Sequence, residues 1–251
     1  MSRLWTKGIL GLAAFAAVAL VGQRAEAAYI NVFDGCLEGS ANTVNCNGTR
    51  AGDADGTLTT SPEWADSYLA WTVDFDPATN LYRYTYTFED TGATFAQAAS
   101  HSIIELSASF TITNLKGGTC SGASIGTFGD QGNSNPGLPD DFYGVKCNGT
   151  QVDPYIVVLV TDRAPMWGDW YAKDGDPVHA YNAGFLVADP IASAPTDGSL
   201  LNHVLVPDTL TVTPQCPTFD CDVTAPEPVS LALFGLVLTA AGYVGRRRFN
   251  S

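Results

Sequence analysis

Basic residues are scarce in this chain, histidines scarcer still, and no catalytic pattern stands in the structural context it needs. Of 251 residues, 12 are Lys or Arg and three are His, against 26 Asp or Glu. Six of the bases (Arg3, Lys7, Arg24, Arg246, Arg247, Arg248) sit in the terminal segments. The body from 28 to 225 therefore holds six bases against 24 acids, a net of −18. A body this acidic repels phosphate backbones, which argues against nucleic acid as a partner. His101, His179 and His203 are far apart in the sequence and fit no catalytic or metal spacing. Gly122-Ala123-Ser124-Ile125-Gly126 spells Gly-x-Ser-x-Gly, but no amphipathic helix follows it, so it makes no nucleophile elbow; there is no His-Glu-x-x-His helix, no phosphate loop and no Cys-x-x-Cys pair. The expectation is a non-enzymatic protein that needs no cofactor. Glycan hydrolysis by paired carboxylates is the enzymatic alternative, because that pairing is spatial and leaves no sequence pattern.

Convincing amphipathic helices are also lacking, and the long apolar runs lie at the two ends. Arg3 and Lys7 precede the uncharged run Ile9–Gly22, and Ala25-Glu26-Ala27 follows with small residues flanking a variable one. This is the layout of a secretory signal peptide over residues 1–27, cut after Ala27, since such a run is short for a membrane-spanning helix. At the other end Pro226-Glu227-Pro228 precedes the charge-free segment Val229–Gly245, and Arg246-Arg247-Arg248 follows it. That segment is just long enough to be read as a transmembrane helix, and the arginines would hold its end in the cytoplasm. The two prolines keep the stretch outside the membrane extended and accessible.

A Pro-Glu-Pro motif, an apolar helix and a terminal arginine cluster, in that order, resemble the PEP-CTERM sorting signal. The resemblance covers residues 226–248. It implies an exosortase-type processing enzyme as partner, processing near Pro226, Glu227 and Pro228, and loss of the apolar tail. It also implies an inner-membrane-anchored precursor that ends in the envelope or the medium of an exopolysaccharide-producing bacterium. Extracellular polysaccharide is then a possible partner.

Cysteine usage agrees with export. Cys36, Cys46, Cys120, Cys147, Cys216 and Cys221 all fall between the signals. An even number in an oxidising compartment predicts three disulfides, and proximity favours Cys36–Cys46, Cys120–Cys147 and Cys216–Cys221 among the possible connectivities. The second pair would close a Gly-, Ser-, Asn- and Pro-rich loop over Lys116–Asp141.

The periodicity of the body is that of strands. Tyr82, Tyr84, Tyr86 and Phe88 alternate with Arg83, Thr85 and Thr87, which places four rings on one face. Tyr68–Phe75 is a strand candidate before it, joined through the turn-forming Asp76-Pro77-Ala78-Thr79-Asn80. Ile103–Thr113, Tyr155–Thr161, Ala183–Val187 and His203–Val212 read as further strands, and Thr94–Ser100 as at most a turn of helix. Short strands separated by turns predict an all-β fold, an antiparallel β-sandwich of jelly-roll or related topology. It would span residues 28–215, followed by a linker over 216–225 and the sorting segment over 226–251.

Two features offer binding chemistry. Asp53-Ala54-Asp55-Gly56 spaces two carboxylates before a glycine, as in calcium loops, but lacks the later ligands of an EF-hand. Trp167, Trp170, Tyr171, Tyr181 and Phe185 concentrate rings between strand signals. Such rings serve either as sugar-stacking platforms of a carbohydrate-binding module or as core. This aromatic stretch also resembles those of exported PEP-CTERM proteins.

Overall fold

The computed structural model describes residues 29–42, 46, 56–92, 98–130, 134–149, 152–175, 177–186 and 201–207. The sequence signals at both ends, Asp53 and Asp55, and Cys216 and Cys221 lie outside these residues. Among the described residues no helix is long and apolar enough to cross a membrane.

The described body is all-β, with its strands paired antiparallel in three sheets. Its strands are β1 (Ile30–Glu38), β2 (Leu58–Thr60), β3 (Ser67–Asp76), β4 (Leu81–Asp90), β5 (His101–Glu105), β6 (Leu115–Gly118) and β7 (Ser121–Phe128). They continue as β8 (Phe142–Asn148), β9 (Tyr155–Thr161), β10 (Pro165–Gly168), β11 (Trp170–Lys173), β12 (His179–Asn182) and β13 (Val204–Pro207). One sheet has the order β1-β3-β4-β9-β6, a second β2-β12-β11-β5-β8-β7, and β10 pairs with β13 in a two-stranded ribbon.

The tyrosine alternation does what its period dictates. Tyr82, Tyr84, Tyr86 and Phe88 are buried on the inner face of the five-stranded sheet, with Tyr84 and Tyr86 stacked at 6.5 Å. Ring area drives that burial, and each phenol needs an acceptor once inside. Tyr84 donates to the Arg163 carbonyl at 2.9 Å and Tyr86 to the Leu205 carbonyl at 2.8 Å. Between the rings, Arg83 points outward and pairs with Asp74 at 2.7 Å. The turn between β3 and β4 is held by Asp76, whose carboxylate accepts from the Ala78 amide, and by Asn80 at φ 60°.

One core joins the sheets. Leu69, Trp71 and Val73 of β3 meet Ile104, Val145, Trp170 and Ala172 of the six-stranded sheet, with Val204, Leu205 and Val206 of β13 in the same cluster. A second cluster, Ile103, Leu138, Phe142, Tyr171 and Phe185, covers the other face of the six-stranded sheet.

Several sequence expectations need correction. Ile103–Thr113 is a strand only to Glu105; Leu106 and Phe110 then turn into the core, and a Thr111–Asn114 capping box closes a 3-10 turn. Ala183–Leu186 is a turn, because Phe185 must fold back onto Phe142 and Tyr181. Of His203–Val212, residues Val204–Pro207 are strand and the rest lies outside the described residues. Much of Lys116–Asp141 is strand rather than loop, since β9 and β8 supply ladder partners that its small side chains do not have to earn by packing. Gly118 illustrates the constraint: at φ 120°, a Cβ there would lie 2.0 Å from the Val158 carbonyl oxygen.

Candidate functional site

Of the five rings that could serve as platform or core, Phe185 is buried with the tryptophans and Tyr171, and Tyr181 is half-buried. Trp167, Trp170 and Tyr171 are buried, which places them in the core rather than on a sugar-binding surface. Cys36–Cys46 and Cys120–Cys147 are disulfides, with Cα separations of 5.5 and 4.9 Å. Among the described residues no group of three His, Cys, Asp or Glu side chains could hold a metal ion.

Polar chemistry gathers instead on the outer face of the six-stranded sheet. Strand neighbours bring together residues distant in sequence: Lys173 of β11 lies opposite His101 of β5, and Lys146 of β8 opposite Ile103. In strands of period two these side chains share one face with Tyr171, Tyr181 and His179. His101 Nε2 carries the hydrogen and donates to Asn135 Oδ1 at 3.1 Å, while Asn135 Nδ2 donates to the Gly129 carbonyl at 2.9 Å. Tyr171 donates to the Pro136 carbonyl at 2.8 Å, so the segment around Asn135 is tied down over the sheet. Gly137, at φ 70°, fits where a Cβ would strike the His179 ring. The His179 and Tyr181 rings run parallel, 6.0 Å apart.

The electrostatics of this face follow from burial and two ammonium groups. Burial, then Lys146, pushes His101 down to about 4, against the opposing effect of the hydrogen bond it donates to Asn135. Lys146 is itself pushed down, by burial first and then by Lys173. His101 is therefore a neutral imidazole near pH 7, wedged between cations. Acids cluster elsewhere. At one corner Tyr68 donates to Glu89 at 2.6 Å, and Asp153 accepts from the Asp90 amide while burial raises its own affinity for protons. In the interior Glu105 accepts from the Asp169 amide at 2.8 Å, and Asp169 accepts from Asn182 at 2.7 Å. These carboxylates bind β5, β11 and β12 together.

The buried imidazole makes stability depend on pH. Between pH 6.5 and about 4 the unfolded chain binds a proton at position 101 that the folded chain does not, so stability falls as pH falls through that window. The loss expected from this group is about 2 kcal/mol, reduced from the full shift because the site is partly solvated. Urea denaturation at pH 7 and pH 4.5 checks it. His101→Gln should remove most of the difference, and an unchanged pH slope in the variant would assign it to carboxylates instead.

No family model, curated protein or solved structure matches the chain.

The sheet brings His179 onto the His101 face, opposite Lys173, whereas His203 lies apart from it. His179 Nδ1 contacts the Pro177 carbonyl at 2.7 Å, and His203 Nδ1 the Leu201 carbonyl at 3.1 Å. The sequence reasoning missed Lys146, Lys173 and Asn135. The only signal of Lys146 and Lys173 was period-two alternation within separate strands, which strand order unites, and Asn135, between β7 and β8, carried none.

Proposed function

We propose that this chain is an exported, non-enzymatic component of the cell surface or extracellular matrix of an exopolysaccharide-producing bacterium. In this proposal an exosortase-type enzyme processes it near Pro226-Glu227-Pro228, and the body is a sandwich of jelly-roll or related topology. The observation that carries the proposal is the pair of disulfides, Cys36–Cys46 and Cys120–Cys147, within one all-β body. Such bonds persist in oxidising compartments, which is where a signal peptide would deliver the chain. A third bond, Cys216–Cys221, belongs to the same proposal, as does a calcium ion at Asp53 and Asp55.

The experiment separates export from sorting. Glu227 is the only charge between Asp222 and Arg246. Glu227→Ala is expected to leave translocation intact and to block processing, so that a precursor heavier by its uncleaved tail accumulates in membranes. Fractionation with intact-mass analysis, in a host carrying an exosortase, reads both effects. Wild type that keeps Arg246–Ser251 in that host would leave a plain tail anchor in place of a sorting signal.

Polysaccharide is the expected surrounding of such a protein. Among the described residues the sugar contact proposed is the partly exposed Tyr181 and His179, beside Lys146 and Lys173, since Trp64, Trp71, Trp167 and Trp170 are inside. Mobility in gels cast with acidic polysaccharide reads this, and equal mobility with and without the glycan counts against it.

A further inference from the structure

The sandwich has one tied seam and one open seam. On the tied side β1 and β2, the edges of the two large sheets, are linked by a parallel bridge between Glu38 and Thr57, with the Glu38 amide donating to the Gly56 carbonyl at 3.2 Å. Asp34 and Glu38 add charge to β1, and Cys36–Cys46 staples it. On the other side β6 and β7 are the opposite edges of the same sheets, and only Thr119 and Cys120 separate them in the chain. Among the described residues, no strand pairs with the outer side of either.

Exposed strand edges are templates for another chain, and proteins that stay monomeric blunt them with charge, proline or distortion. This edge has little of that. A bulge between Ser121 and Ser124 bends its start, but Ser124–Phe128 pairs regularly with β8 and contains neither charge nor proline. Ser124 and Thr127 are exposed, and a Cβ on Gly126 would meet nothing within 4 Å. The sequence around it is equally unusual. Residues 106–129 are 24 in a row without a carboxylate, whereas no other such run in the body exceeds 14. The single charge in that run, Lys116, is paired with Asp162 at 3.1 Å.

We propose that β7 is a self-association edge, on which a second copy of this chain adds its own β7 antiparallel. Net charge selects the place, and the self-complementarity of identical strands the occupant. Two bodies of −18 repel over most of their surfaces, and this strip is where neither presents acid. An antiparallel pair of identical strands is self-complementary and closes on a two-fold axis. Centred on Gly126, it sets each Asp130 opposite the partner's Gly122 and keeps the two Asp130 side chains far apart.

Sedimentation equilibrium of the exported protein, disulfides intact, tests this. The expected result is a reversible dimer that strengthens with salt, as screening weakens the repulsion. Ser124→Asp with Thr127→Asp should raise the dimer Kd at least tenfold. Val152→Asp with Leu201→Asp, the same two charges at residues 57% and 66% exposed elsewhere, should leave it unchanged. Should the β7 variant lose its near-ultraviolet circular dichroism, amide exchange of wild type at low and high concentration decides, with added protection expected over residues 121–128. A monomer at every concentration, a dimer that survives in the folded β7 variant, or protection confined to other strands would overturn the proposal.

Discussion

Trp170→Ala is expected to cost about 3–5 kcal/mol, with an unchanged dependence of the unfolding free energy on urea concentration. Trp170 is 1% exposed and lies on the inner face of β11, with its ring 5.3 Å from that of Phe88 in the facing sheet. Phe88 in turn meets Trp64 edge-on at 4.8 Å, so the indole is one member of a ring stack that spans both sheets. Truncation to a methyl group removes the apolar area and leaves a void that a β-framework closes only in part. The backbone contribution is preserved, because the Trp170 amide still donates to Asn182 Oδ1 at 2.8 Å. The predicted loss is therefore one of packing. Thr85→Ala, on the outer face of β4, serves as the comparison and is expected within about 0.5 kcal/mol of wild type. A cost near that of Thr85→Ala for Trp170→Ala would mean that the two sheets do not share this core.

The second large effect is loss of the Cys120–Cys147 bond. Its partners are 27 residues apart, and the loop-entropy model assigns a closure of that length about 3–4 kcal/mol. Cys36–Cys46, separated by ten, is assigned about 3 kcal/mol on the same model. The difference between them should be exceeded in practice for a structural reason. Cys147, beside Ser102 and Tyr155, belongs to the core that joins the two sheets, and Cys120 packs against that core, whereas Cys36 and Cys46 are buried outside it. Replacing Cys120 and Cys147 together by Ala thus opens a gap between the sheets as well as a loop. Denaturation midpoints of the two double variants, each against wild type, give the ranking. A smaller loss for Cys120/Cys147 than for Cys36/Cys46 would contradict it.

The sequence made some elements plain and concealed others for identifiable reasons. β3, β4 and β9 were legible because they are long, buried on one face and rich in β-branched or aromatic residues, so alternation is unmistakable. The Asp76–Asn80 turn was legible because Asp and Asn carry the hydrogen bond and the positive φ that it needs. β6 and β7 were concealed. Their Gly, Ser and Thr composition is that of a loop, and they exist because β9 and β8 offer ladder partners from far along the chain. The rings of Trp167–Tyr171 were visible but ambiguous, since burial depends on which sheet lies opposite. The His101 face was the least legible. Residues 101, 146 and 173 meet only because the sheet order runs β11-β5-β8, and strand order is not written in any local pattern.

The ribbon of β10 and β13 has a mechanical consequence. Val204–Pro207 is buried throughout, yet among the described residues its strand partner is β10 alone, in the register Pro165 to Pro207 through Gly168 to Val204. A pulling force transmitted through the chain after Pro207 enters at the Pro165–Pro207 rung. Directed across the strands, it parts the rungs one after another instead of shearing them all at once. Resistance then rests on three side chains seated in the interior and on the Tyr86 hydroxyl gripping the Leu205 carbonyl. If the protein is tethered from that side, this short ribbon yields first, and the two large sheets remain folded behind it.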